Sequence, residues 1–182
     1  MNEILMALWL FLPAAFSNMA AALGRHLKFL NFLAIPVDMG IELGGKRLLG
    51  KNKTVRGFLL GTLFAVIFSY IQREIYLNSS LKDLAEIDYS SFNIFIFGAL
   101  LGFGALLGDS VESFFKRRVG IMSGEPWIGF DQSDYILGSL LLLAPYYMFS
   151  ITSYLAIFIV FFIGHFIVKY IGFIVGLENK KI

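Results

Sequence analysis

Long apolar runs dominate the chain, covering residues 4–23, 57–71, 92–107, 135–149 and 154–175, with polar and charged residues gathered between them. Extended by a turn into its flanks, each run reaches the roughly 20 helical residues that cross a hydrocarbon core of about 30 Å. The pattern predicts an all-α integral membrane protein, a bundle of five transmembrane helices forming one domain over 1–182. Only residues 150–153 separate the fourth and fifth runs. About 40 residues of continuous helix would overshoot any bilayer, so a tight helical hairpin is expected there. Pro13 and Pro145 fall inside runs and are expected to kink their helices, which a bundle tolerates where a neighbour satisfies the freed carbonyl.

Charge fixes the expected orientation. The first connection, 24–56, carries Arg25, Lys28, Lys46, Arg47, Lys51, Lys53 and Arg56 against Asp38 and Glu42, so it should face the cytosol. The second, 72–91, holds Arg73 and Lys82 against Glu74, Asp83, Glu86 and Asp88. The third, 109–134, contributes Lys116, Arg117 and Arg118, and the tail ends on Lys180 and Lys181. Basic loops thus alternate with poorer ones, placing the amino terminus outside and the carboxy terminus inside. Ala20 to Ala22 resemble a signal cleavage site, but the first run lacks the basic start that a cleaved signal peptide wants.

Composition narrows the chemistry. Hydrophobic residues make up 58% and charged residues 15%, against about 45–50% and 25% in soluble domains, which excludes a soluble enzyme. Five spans take about 100 residues, leaving room for loops but not for a soluble domain. There is no Cys, and His26 and His165 are the two histidines. Disulfides, a thiolate zinc site and a cysteine nucleophile are therefore excluded, and catalysis must run on carboxylates, amines, guanidiniums and hydroxyls. A net charge of +2 is too small to point to nucleic acid.

Two cytosolic loops, 24–56 and 109–134, are expected to form the active site. If the third helix continues past its apolar run, Asp109, Glu112, Ser113, Lys116 and Arg117 share one face. They could be a solvated, self-compensating helix end. Asp109, however, follows a long uncharged stretch at the membrane edge, where an acidic group is expensive and functional by default. Asp131 and Asp134 repeat the theme at i, i+3 before the fourth run, where anions also favour a helix amino terminus. Before the second run stands Gly50-Lys51-Asn52-Lys53-Thr54-Val55-Arg56-Gly57, readable as a phosphate cradle with Thr54 as helix cap or as an anchor for anionic headgroups. Clustered carboxylates without imidazole or thiolate suit a hard cation such as magnesium, and clustered Lys and Arg suit a polyphosphate. If a phosphate monoester is the nucleophile, its second pKa of about 6 leaves it largely ionised, and no catalytic His is needed.

The stretch Leu107-Gly108-Asp109-Ser110-Val111-Glu112-Ser113-Phe114-Phe115-Lys116-Arg117-Arg118-Val119-Gly120-Ile121 resembles the signature of the CTP:phosphatidate cytidylyltransferase superfamily. The chain is similar to its short archaeal branch, the CDP-archaeol synthases, in Pro13-Ala14 with Asn18, Pro36-Val37-Asp38 with Gly40, Asn52-Lys53-Thr54 with Arg56-Gly57, and Asp131-Gln132-Ser133-Asp134. It is shorter than the bacterial and eukaryotic enzymes and lacks their His-Gly-Gly element, which favours a diether over a diacyl lipid. The resemblance implies transfer of a cytidylyl group from CTP to an isoprenoid diether glycerol phosphate, with Mg2+, in the cell membrane. By the same resemblance Asp109, Asp131 and Asp134 hold the metal, with Glu112 behind them. Lys116 and Arg117, together with Asn52, Lys53, Thr54, Arg56 and Ser113, are implied to bind the triphosphate or the lipid phosphate. Asn18 and Asp38 match family positions without an assignable role.

Other features have plainer readings. Gly98, Gly102, Gly104 and Gly108 repeat at helix-packing intervals, for close contact or a groove for isoprenoid chains. Asn18 could also bond a neighbouring helix. His165 and Lys169 lie one turn apart, Lys169 reading as a snorkelling residue and His165 as too deep for catalysis. Trp127 could dip into the interface or stack on a cytosine ring. Competing functions are a diacyl phosphatidate cytidylyltransferase, a CDP-alcohol phosphotransferase, whose spaced aspartates in an Asp-Gly, Ala-Arg context are absent, and a small cation transporter. Transport is disfavoured because the carboxylates cluster at one membrane edge beside basic residues.

Overall fold

The structure, a computed structural model, describes residues 2–78, 82 and 85–176. Of the residues used above to assign orientation, Asp83, Lys180 and Lys181 lie outside the described residues. Five α-helices follow one another: α1 Asn2–Leu23, α2 Val55–Asn78, α3 Ile94–Val119, α4 Phe130–Leu143 and α5 Ile151–Ile174. Helices α1, α2, α3 and α5 are long and apolar enough to cross a bilayer, making this a multi-pass membrane protein.

The fourth helix differs from its expected bounds. It begins at Phe130 and stops at Leu143, 14 residues or about 21 Å of rise, shorter than the others and than a hydrocarbon core of about 30 Å. Pro145 follows the end of this helix instead of kinking it: proline lacks the N–H for the next helical bond, while Ala144 before it keeps helical geometry and donates to the Leu140 carbonyl at 2.9 Å. The chain turns through 144–147, and Ser150 caps α5 by accepting the Ser153 amide at 3.1 Å. Pro13 does lie inside α1. The carbonyl it would orphan, that of Trp9, accepts a hydrogen bond from the Gln72 side chain of α2, a neighbour doing what the missing backbone donor cannot.

Helix α3 is the central element, packed on α1, α2 and α4, while α5 packs on α1 and α4. Its four glycines divide between two neighbours. Gly98 and Gly102 face Ser69 and Ala65 of α2, whereas Gly104 and Gly108 face Gly138, Ser139 and Asp134 of α4. A Cβ on Gly108 would lie 2.1 Å from the Asp134 carbonyl oxygen, so only glycine permits this approach. Hydroxyls inside the seams donate to helix carbonyls, Ser17 to Gly102 at 3.0 Å and Ser139 to Leu101 at 2.8 Å. Phe11, Leu101, Ile136 and Ile157 form the buried core that α1, α3, α4 and α5 share. The departure from an all-α chain is a small antiparallel hairpin in the first loop, β1 Glu42–Leu43 with β2 Lys46–Arg47. Gly44 and Gly45, both at positive φ, make its two-residue turn.

Candidate active site

Helix α3 runs on past its apolar stretch to Val119, so its polar end is helical and carries one coherent face. Glu112, Ser113, Lys116 and Arg117 are buried on that face and Asp109 is half-buried. The close approach at Gly108 sets Asp134, on the first turns of α4, against the start of this face. Single carboxylate oxygens of Asp109, Glu112 and Asp134 consequently lie within 4.8 Å of one another, a trio that could hold a metal ion.

The first loop brings cations to the trio. The Lys53 Nζ is 2.5 Å from the Asp109 carboxylate. Lys53 is held there because its segment closes on the start of the loop: the Val37 amide donates to the Lys53 carbonyl at 2.8 Å, the Val55 amide to the Ile35 carbonyl at 2.9 Å, and Pro36 forms an isolated bridge with Thr54. Inside this closed loop Asp38 is a hub. Its fully buried carboxylate pairs with Arg47 and accepts the amides of Gly40, Leu49 and Gly50 at 3.1, 3.1 and 2.9 Å. Burial opposes its charge, but the Arg47 guanidinium and these amides prevail and hold the carboxyl at about 2. Arg118, at the end of α3, fastens the hairpin by donating to the carbonyls of Leu43, Lys46 and Arg47 at 2.6, 3.0 and 2.7 Å.

On the other side Lys116 bridges two carboxylates, Glu112 at 2.9 Å and Asp131. Asp131 also accepts the Trp127 amide at 3.1 Å. Burial works against its charge, yet hydrogen bonds with Glu112, Lys116 and that amide hold its carboxyl below the usual range. Asp134 behaves oppositely: burial, reinforced by repulsion from Asp109, raises its carboxyl well above the ordinary value. Two crowded carboxylates that cannot both ionise freely are a site that a cation would relieve.

These side chains line one cavity of ≈ 240 Å³, which Asn18 enters from α1, Asn52 and Lys53 from the loop, and His165 and Lys169 from α5. Of the residues singled out in the sequence, Asp109, Ser113, Lys116, Arg117, Asp131, Asp134, Asn52 and Lys53 meet here. Thr54 and Arg56 do not line it. The Thr54 hydroxyl accepts the Gly57 amide at 3.2 Å, and Arg56 donates to Asn31 and to the Leu27 carbonyl at 3.0 and 3.4 Å, tying down the segment after α1. Trp127 stacks on Phe130, ring centroids 4.0 Å apart, also outside the cavity lining. His165 and Lys169, read above as deep and as snorkelling, both line the cavity wall. Their i, i+4 spacing was a usable signal, since it puts both on one face of an otherwise apolar helix.

The family model for CarS-like CDP-archaeol synthase matches residues 1–181. A CDP-archaeol synthase of Methanoculleus marisnigri is 35% identical over 175 residues, 92% of this chain and 98% of that one. The synthase of Thermococcus kodakarensis is 35% identical over 153 residues, 80% of this chain and 77% of its own. That of Methanosphaerula palustris is 40% identical over 133 residues, 72% of each. Among solved structures, an intramembrane enzyme for archaeal membrane lipid biosynthesis superposes with a TM-score of 0.70 at 28% identity, covering 90% of this chain and 92% of the other.

Proposed function

Because the chain belongs to the CarS-like CDP-archaeol synthase family, we propose that it transfers the cytidylyl group of CTP to 2,3-bis-O-(geranylgeranyl)-sn-glycerol 1-phosphate. The products are CDP-unsaturated archaeol and pyrophosphate. The observation that supports this chemistry best is the carboxylate trio Asp109, Glu112 and Asp134, set within 4.8 Å beside Lys53. Three hard oxygen donors, with neither imidazole nor thiolate among them, fit Mg2+. When bound, the ion would neutralise the triphosphate and polarise its α-phosphoryl group. Asp131, expected from the resemblance as a metal ligand, stands next to the trio and orients Lys116.

The lipid phosphate, already ionised near neutral pH, attacks the α-phosphorus in line. A new P–O bond forms, the α–β bridging bond breaks, and pyrophosphate leaves with the electron pair. The protein's residues position and neutralise two anions that repel each other. Lys116 and Arg117 hold the triphosphate from α3, Lys53 and Asn52 from the loop, and Ser113 donates from between them. The loop and the end of α3 that carry these residues face the cytosol, with the amino terminus outside, because the connection 24–56 is the most basic in the chain.

Purified protein given CTP, Mg2+ and the diether phosphate should release pyrophosphate, and chelation should stop the release until Mg2+ is restored. A folded sample that never releases it overturns the assignment. Asp109→Asn should lower turnover by about a hundredfold or more, the scale of losing one transition-state contact, with membrane insertion unchanged. Retained turnover removes Asp109 from the site.

A further inference from the structure

The cations of the cavity are not equivalent. Lys53 is paired with Asp109, and Lys116 with Glu112 and Asp131. Arg117 and Lys169 also line the cavity, and neither has an ion pair among the described residues; Arg117 donates to the Ser113 carbonyl at 3.3 Å on α3, beside Lys116, whereas Lys169 comes from α5. His165, one turn earlier, shares its face. That face is held inward by Tyr135 of α4, whose hydroxyl donates to the Phe161 carbonyl at 2.9 Å and whose ring lies 5.9 Å from the His165 ring.

The outer face of α5 is of another kind. Ile159, Ile163, Ile167 and Ile174 are each more than half exposed, and only 11% of the helix's most apolar stretch is buried within the protein. Helix α5 is therefore a wall with hydrocarbon on one side and the polar cavity on the other. Lys169 stands just over one turn from the end of this wall, near the membrane edge, where a headgroup whose chains lie along the isoleucine face would sit.

A phosphate monoester arriving from the bilayer carries between one and two negative charges near neutral pH. It must approach a triphosphate of the same sign. Cations engaged with carboxylates and the triphosphate offset little of that repulsion, whereas an unengaged ammonium on the bilayer side offsets it directly. We propose that Lys169, with His165 beside it, is the binding point for the phosphate of the incoming lipid, distinct from the trio and Lys116 where the triphosphate is held. This rests on the cytidylyltransferase reading above.

Full-length protein in detergent tests it with Lys169→Met, which keeps the aliphatic stem, and Lys169→Arg, which keeps the charge. Lys169→Met should raise the KM for diether phosphate about tenfold or more, the scale of a lost charged hydrogen bond, and leave the KM for CTP within about twofold. Lys169→Arg should recover most of the loss. A CTP KM that rises as much as the lipid KM overturns the proposal, as does an unchanged lipid KM. If Lys169→Met does not fold, Lys169→Gln takes its place. Diether phosphate binding without CTP, followed by 31P line broadening, separates the two readings. Weakened binding in the Met variant, with a dephosphorylated diether alcohol bound as in wild type, supports the subsite even in a protein that never turns over CTP. Equal phosphate binding by both proteins overturns the subsite alone.

Discussion

Asp38 lies off the cavity, yet it orders the loop that delivers Lys53 and Asn52. Its carboxyl is held at about 2 against an ordinary 3.8. A depressed carboxyl pKa stabilises the folded loop fully above about pH 4 and less as pH falls toward 2, amounting to about 2 kcal/mol at neutral pH. Exchange protection of the Gly50 amide, corrected for intrinsic rate, should thus be flat from pH 7 to 5 and fall below 4. Asp38→Asn should lower that protection at pH 7 and abolish its acid dependence; full protection in the variant would show that the hub is not needed. At this scale the sequence was legible where helical spacing settled which way a residue points, as for Asp109, Lys116 and Asp134. It was not legible for Thr54 and Arg56. A basic residue on the first turn of a helix can face any direction around the axis, and Arg56 turns to Asn31 instead of the cavity.

The element scale shows two devices that join helices at points where the backbone is exceptional. Pro13 leaves the Trp9 carbonyl without a helical donor, and Gln72 supplies one from α2. Gln72→Leu should cost about 1 kcal/mol or more. In a Pro13→Ala background the backbone donor returns and the cost should largely disappear, a coupling that a double-mutant cycle of thermal stabilities measures. Equal losses in both backgrounds would rule out the pairing. Gly108 is the second device. Gly108→Val should push α4 from α3 by overpacking, destabilise by about 1–3 kcal/mol and lower turnover more than tenfold while circular dichroism stays helical; turnover at the wild-type rate would mean that the Asp109–Asp134 spacing is not critical. The helix-packing role of these glycines was readable from their intervals, as was the extension of α3, whose polar residues keep a helical period. The bounds of α4 were not. Apolar residues continue to Phe149, and hydropathy registers them without registering that Pro145 has already ended the helix.

Over the whole molecule, the helices alternate in direction so that one end of each meets at the cavity. Lys51 belongs to that end and Ser90, between α2 and α3, to the opposite one. The chain has no native cysteine, so a single cysteine at Lys51 should react with an impermeant thiol reagent only in inverted vesicles, and one at Ser90 only in intact cells. The reverse labelling would invert the proposed orientation, and labelling of both from one side would refute the alternation. The proposed sidedness comes from charge in the loops, because sidedness follows the location of Lys and Arg. The hairpin of the first loop escaped notice, since strands of two residues are too short for any alternation to register. That hairpin has a practical side. Pro36 and Thr54 pair at its base, Arg118 grips it along its length, and among the described residues beyond their chain neighbours none comes within 4 Å of where a Cβ on Gly44 or Gly45 would sit. The entry and exit of the segment are fixed independently of its apex, so a peptide tag grafted between those two glycines should hang clear of the membrane and leave the cavity floor as it is.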